Sequence, residues 1–118
     1  MSNKLQIHIG GTLRDSKRRA LDAVRRAKRG EKVIENHLTF ENWESLAKVM
    51  TGKRQQLIQH LREHPASSIR ALAKALGRDY KRVHRDVQAL TFAGLVERDG
   101  NALHADYDTI QATIPLRP

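Results

Sequence analysis

The chain has 118 residues and no cysteine, enough for one compact domain with a small appendage, and thiolate chemistry and disulfides are excluded. No apolar run approaches the roughly 20 residues that a bilayer span needs, and no apolar stretch follows the opening Met1–Leu5 to make a secretory signal, so a cytoplasmic protein is expected. The net charge of +9 favours polyanionic partners, nucleic acid first among them.

The charge is unevenly placed. Residues 1–32 hold ten basic side chains against three acidic ones, a net +7, and the remaining residues carry only +2. Within this basic segment Leu5, Ile7 and Ile9 alternate with Gln6 and His8, which reads as a half-buried strand ended by Gly10-Gly11. A helix is expected from about Thr12 to Arg29, stopped by Gly30, with a thin apolar stripe of Leu13, Ala20, Leu21, Val24 and Ala27 and basic faces elsewhere. A second strand is expected over Val33 to Leu38. Thr39 then reads as a helix N-cap with Glu41 near the helix start. Phe40, Trp43, Leu46, Ala47 and Met50 follow at helical spacing until Thr51-Gly52 breaks the pattern.

From Lys53 a helix carries Leu57, Ile58 and Leu61 and ends near His64-Pro65. Ser67 or Ser68 caps the next, in which Ile69, Leu72, Ala73 and Leu76 share one face. Gly77 ends it, and Asp79 caps a third helix whose apolar face is Tyr80, Val83, Val87 and Leu90, ended by Gly94. Leu95–Arg98, a turn at Asp99-Gly100-Asn101 and Ala102–His104 read as a hairpin. Ile110, Ala112, Ile114 and Leu116 alternate again, with Pro115 arguing for an edge strand.

Helix, short capped helix, glycine turn, basic helix and polar-tipped hairpin form the pattern of a winged helix-turn-helix. Ala71, Ala73 and Ala75 are expected to let the short helix approach the next one closely. Projected at 100° per residue, the third helix sets Lys81, Arg85 and Gln88 opposite Val83, Val87 and Leu90, with Arg78, Arg82 and His84 at the flanks. These donors suit guanine edges, adenine edges and phosphates. The acidic residues of this helix have other expected tasks: Asp79 caps, and Asp86 pairs with Arg82 at i, i+4. The candidate contacts to double-stranded DNA are therefore Ser68, Arg70, Arg78, Tyr80, Lys81, Arg82, His84, Arg85 and Gln88, with Arg98 and Asn101 at the wing tip.

The runs Leu38–Glu41, Ser68–Lys81, Val83–Leu90 and Gly94–Arg98, with Tyr107-Asp108 after the wing, resemble small MarR-like winged helix-turn-helix regulators of bacteria and archaea. The resemblance implies a sequence-specific transcriptional regulator. Some members of that family resemble antitoxins, which would imply a protein that neutralises a toxin and represses its own operon. The alternatives are a module that mainly holds a toxin, and a stand-alone regulator without one. A homodimer on a near-palindromic site is expected, working at the nucleoid.

The expected fold is α+β, mainly helical: a strand–basic helix–strand (β-α-β) extension over 1–38 and a winged helix-turn-helix with a C-terminal strand over 39–118. The first strand could pair with Val33–Leu38 or with Ile110–Leu116, within one chain or across a dimer; alternatively the basic helix orders only on a partner. Leu5, Ile7, Ile9, Leu21, Val24, Phe40, Trp43 and Leu46 are the candidate dimer or partner interface. No enzyme, cofactor or metal is expected. Gly10-Gly11 lacks the Walker and dinucleotide spacings, His60 and His64 have no third ligand in view, and no acid/base pair or nuclease signature is recognisable.

Overall fold

Alternation along the first strand is the pattern of a ribbon with one dry face. In the computed structural model, which describes residues 3–10, 13–30 and 35–117, β1 (Lys4–Ile9) buries Leu5, Ile7 and Ile9 to 5% exposure or less. The fold is α+β, and the described residues contain five helices and five strands. The chain divides into two compact units, one of Met1–Leu46 with Tyr107–Pro118 and one of Ala47–Asp106. The boundary expected after residue 38 thus falls later, and the tail belongs with the N-terminal segment.

The first unit is a three-stranded sheet with β1 at its centre. Both candidate partners pair with it, and both run parallel: β2 (Glu35–Phe40) on one side and β5 (Thr109–Thr113) on the other. Parallel neighbours require a long crossover, and α1 (Leu13–Lys28) supplies it between β1 and β2. Thr12, expected to open this helix, and Val33-Ile34, expected in the second strand, lie outside the described residues. The registers Ile7↔Leu38 and Ile7↔Ala112 extend the apolar face of β1 across all three strands. At the strand starts Asp108 receives the Asn3 N–H at 2.9 Å and returns its own N–H to the Asn3 carbonyl at 2.7 Å. Asn36 Nδ2 donates to Asn3 Oδ1 at 3.0 Å. β5 stops at Thr113, two residues before Pro115, and is an edge strand as the proline suggested.

Several interface expectations change here. Leu5, Ile7 and Ile9 are core residues of this sheet and offer nothing to a partner, and Leu46 is buried as well. Thr39 is not a helix cap, and Phe40 is not helical: both complete β2, where Phe40 pairs with Ile9 and its carbonyl accepts the Gly10 N–H at 2.8 Å. The cap of α2 (Trp43–Val49) is Asn42, whose Oδ1 accepts the Ser45 N–H at 2.8 Å. Trp43 is left 53% exposed, and Leu21 and Val24 on α1 are 57% and 50% exposed.

The second unit contains α3 (Gly52–Glu63), α4 (Ile69–Leu76), α5 (Tyr80–Ala93), β3 (Glu97–Asp99) and β4 (Ala102–His104). Thr51 falls at the expected break after α2 and caps α3, accepting the Arg54 N–H at 3.3 Å. Ser68 caps α4 through the Ala71 N–H at 3.0 Å. The core is Leu57, Leu61, Leu72, Val83, Val87, Leu90, Leu95 and Leu103, all at 0% exposure. Leu95 and Val96 are buried but precede the strand, bonded back to the Leu90 carbonyl at the end of α5. Ala66 exchanges both backbone hydrogen bonds with Leu103, at 2.8 and 2.9 Å, fastening β4 to the link between α3 and α4. No helix among the described residues is long and apolar enough to cross a membrane.

Leu90→Ala removes a fully buried side chain and should cost about 3 kcal/mol in urea unfolding of the full chain. Leu116→Ala, at a residue 92% exposed, should stay within about 0.5 kcal/mol of the parent. Equal effects would contradict the assigned core.

Candidate nucleic-acid interface

The candidate surface is built on the turn joining α4 to α5. Gly77 ends α4 at φ 64°, a left-handed conformation that a side chain would strain. Arg78 N–H then bonds the Ala73 carbonyl at 3.0 Å, and Asp79 Oδ2 accepts the Arg82 N–H at 3.2 Å to start α5. The small-residue expectation holds only in part: Ala73 is buried, but Ala71 and Ala75 are exposed, and Ile69 and Leu72 provide the other buried side chains of α4.

The inner face of α5 is Val83, Val87 and Leu90, all fully buried. That burial turns Lys81, Arg82, Arg85 and Gln88 outward, and all four are exposed. Tyr80, at 42% exposure, belongs to the outer surface and not to the apolar face. The Arg70 guanidinium lies over its ring at 5.1 Å, and the His84 ring follows at 5.8 Å. This file joins the first turns of the two helices on one surface. Ser68 is half-buried because its hydroxyl caps α4.

Asp86 does not pair with Arg82. Its carboxylate receives Arg54 Nε from α3 at 3.0 Å and Arg78 Nη2 from the turn at 2.7 Å, with the three side chains 13–18% exposed. Arg54 also donates to the Lys48 and Val49 carbonyls. Arg78 is therefore a strut of the fold rather than an outward donor; its Nη1 is buried without a hydrogen-bond partner. Burial alone would raise the Asp86 carboxyl, but the hydrogen bonds and charges of Arg78 and Arg54 outweigh it and hold it below the usual carboxylate range. The only acidic side chains of the α5 segment are thus a cap and the centre of an ion-pair network, and the outward face is left basic.

Beside this face lies a cavity of about 600 Å³ whose lining sets Lys53, Arg54, Arg78, Arg82 and Arg85 against Asp79 and Asp86. Lys53 was not among the sequence candidates. It is in the first turn of α3, and only the packing of α3 beside the α4–α5 turn brings it to this basic groove. At the hairpin the turn is the two residues Gly100-Asn101, with Gly100 at φ 63° and no positive φ at Asn101. Arg98 Nε donates to the Gly100 carbonyl at 3.0 Å, so its side chain is folded over an exposed tip that includes Asn101.

A second group was also missed. Register sets Glu97 opposite His104, and Asp106 follows two residues on. His104 Nδ1 meets Asp106 at 2.9 Å and Nε2 meets Glu97 at 3.7 Å. Each could offer a ligand atom to a metal, but both ring nitrogens already face a carboxylate, and the group closes on itself as a clamp on the hairpin. The His60 and His64 rings are tilted against each other at 5.2 Å.

The depressed Asp86 carboxyl stabilises the fold at pH above its unfolded value near 3.9, and that contribution is lost as pH falls through the lower folded value. Asp86→Asn should therefore cost about 3 kcal/mol at pH 7 and flatten the acid limb of the stability profile. An unchanged limb in urea titrations between about pH 2 and 6 would rule out this role.

No curated protein and no solved structure matches the chain. A family model described as HVO_A0114 matches residues 49–112, more than half of its length and all of α3 to β4. The chain belongs to the HVO_A0114 family.

Proposed function

We propose that this protein is a sequence-specific double-stranded DNA-binding regulator, with the second unit acting as a winged helix-turn-helix of MarR-like type. The observation that carries the reading is the outer face of α5. Lys81, Arg82, Arg85 and Gln88 are exposed together, while both nearby carboxylates are engaged in the fold. A helix that buries Val83, Val87 and Leu90 completely has a fixed rotation, so it can offer the same side chains each time it enters a major groove. Lys81, Arg85 and Gln88 then face base edges, and Arg70, Lys53 and Arg82 face phosphates. The β3–β4 hairpin, anchored through Ala66 and Leu103, serves as the wing, with Arg98 and Asn101 at its tip. One recognition helix reads few base pairs, so a homodimer on a near-palindromic site is part of the proposal.

A second reading, an antitoxin that represses its own operon, draws on a separate observation. Leu21 and Val24 form a half-exposed apolar stripe on α1, among Arg18, Arg25 and Lys28. Such a surface suits an acidic partner protein. Removing residues 1–32 would not test this cleanly, because β1 is the strand to which β2 and β5 are bonded.

Lys81→Glu with Arg85→Glu should abolish specific shifts of the protein's own upstream DNA while leaving the circular dichroism unchanged. For every phosphate no longer neutralised, the salt slope of the remaining binding should fall by about one. Wild-type affinity in the double variant would overturn the recognition-helix assignment. For the antitoxin reading, Leu21→Glu with Val24→Glu should leave DNA shifts intact and abolish co-purification of the product of the neighbouring gene. Retained co-purification would remove α1 from that role.

A further inference from the structure

We infer that the carboxyl-end cleft of the parallel sheet in the first unit binds a small phosphate-bearing ligand with a flat ring, of the mononucleotide class. Because β1, β2 and β5 run the same way and in register, with Ile9 opposite Phe40 and His8 opposite Thr113, their carboxyl ends meet at one edge. Crevices outside the carboxyl ends of parallel strands are where α/β sheets take ligands, since the chain diverges there and leaves room. The room is present: a cavity of about 900 Å³ opens at this edge, within the size range of small-molecule sites. Gly10 leaves β1 beside it at φ 71°, a turn that suits glycine alone.

The lining has two chemistries. Arg18 and Arg19 from α1 and Arg117 from the tail line it, with Glu41 as the one acidic residue in the lining. Guanidinium groups converging on a cleft are suited to phosphate oxygens, which they can grip with paired hydrogen bonds. The same lining includes Trp43, Ile114 and Leu116, three of the large apolar side chains left exposed, at 53, 46 and 92%. Their gathering at the cationic cleft is what a flat ring requires: an indole to stack on and aliphatic side chains to close against. His8, on the cleft floor, is hydrogen-bonded to His37 at 2.8 Å. Burial, then Arg19 and His37, lower its basicity, so it stands neutral at pH 7, able to donate or accept a hydrogen bond. The glycine fingerprints of phosphate loops are absent, and the anion site rests on arginines instead. The inference is independent of the DNA-binding reading, since it uses none of the residues of α3 to β4.

Trp43 is the sole tryptophan, so its fluorescence in the full-length protein reports the cleft directly. Titration with AMP should give a saturable change. Adenosine and inorganic phosphate should each bind at least about tenfold more weakly, since each satisfies only one of the two chemistries. Arg18→Gln with Arg117→Gln, with circular dichroism unchanged, should weaken AMP by about tenfold or more. No saturable change up to about 10 mM AMP, a limit corresponding to under about 3 kcal/mol of binding, would overturn the inference. Equal affinity for adenosine would overturn the phosphate assignment. Loss of AMP binding in the Lys81→Glu, Arg85→Glu protein would put the ligand on α5, and a concentration-dependent shift of the Trp43 emission without ligand would make a second copy the occupant. Either result would refute the proposal.

Discussion

Asp86 ties three pieces of chain together. Its two carboxylate oxygens hold Arg54 of α3 and Arg78 of the α4–α5 turn, and Arg54 in turn reaches the last carbonyls of α2. A charge triad at this depth is not a cheap way to gain stability, because each ion gives up hydration to enter it. What it contributes is geometry. With the carboxylate engaged from two sides, α5 has one rotation about its axis, set jointly by the ion pairs and by Val83, Val87 and Leu90. Under the DNA-binding reading, that rotation decides which side chains meet the groove, and an error of one residue would replace Arg85 by Asp86 itself.

The same network shapes the electrostatics of the surface. Of the basic residues near α5, Arg54 and Arg78 are neutralised inside, and Lys53 is in the lining of the groove with Arg82 and Arg85, while Lys81, Arg82 and Arg85 are exposed and Asp79 at the cap is the exposed acidic residue beside them. This unit holds eleven basic and six acidic residues, a net +5, and Lys53, Lys81, Arg82 and Arg85 gather on and beside α5. Local field, not total charge, governs attraction to a phosphate backbone.

In the first unit the organising constraint is the parallel pairing of β1 with both neighbours. It draws the tail back to the start of the chain, explains why the N-terminal segment must contain a crossover helix, and brings three strand ends to one edge. The excess of arginine in residues 1–32, which charge counting alone would assign to a DNA backbone or an acidic protein, contributes in part to the cleft at that edge. Arg25, on the exposed side of α1, lies beside Leu21 and Val24.

Much of the architecture was legible in the residues. Period two in Leu5–Ile9 and Ile110–Leu116, helical spacing from Leu57 to Leu90, Asp79 and Ser68 as caps, and Gly77, Gly94 and Gly100 at their stops and turn are local signals, because each depends on neighbours within a turn or a strand pleat. The errors had one kind of cause. Thr39-Phe40 looks like a helix start until β1 is available to pair with it. Asp86 looks like a partner for Arg82, four residues away, until packing offers Arg54, 32 residues distant, at 3.0 Å. Lys53, the His104 clamp and the cleft at the sheet edge have no local signal at all. Spacing along a chain fixes which face of an element is dry; it does not say which opposite charge or open strand edge will be nearest once elements pack. The sequence by itself therefore determined most of the elements, most of their dry faces and the basic side of α5. Only the tertiary structure decided which arginines are locked inside, that β1 is the centre of a sheet made from both ends of the chain, and where the cavities lie, because those depend on contacts between residues as much as 105 positions apart.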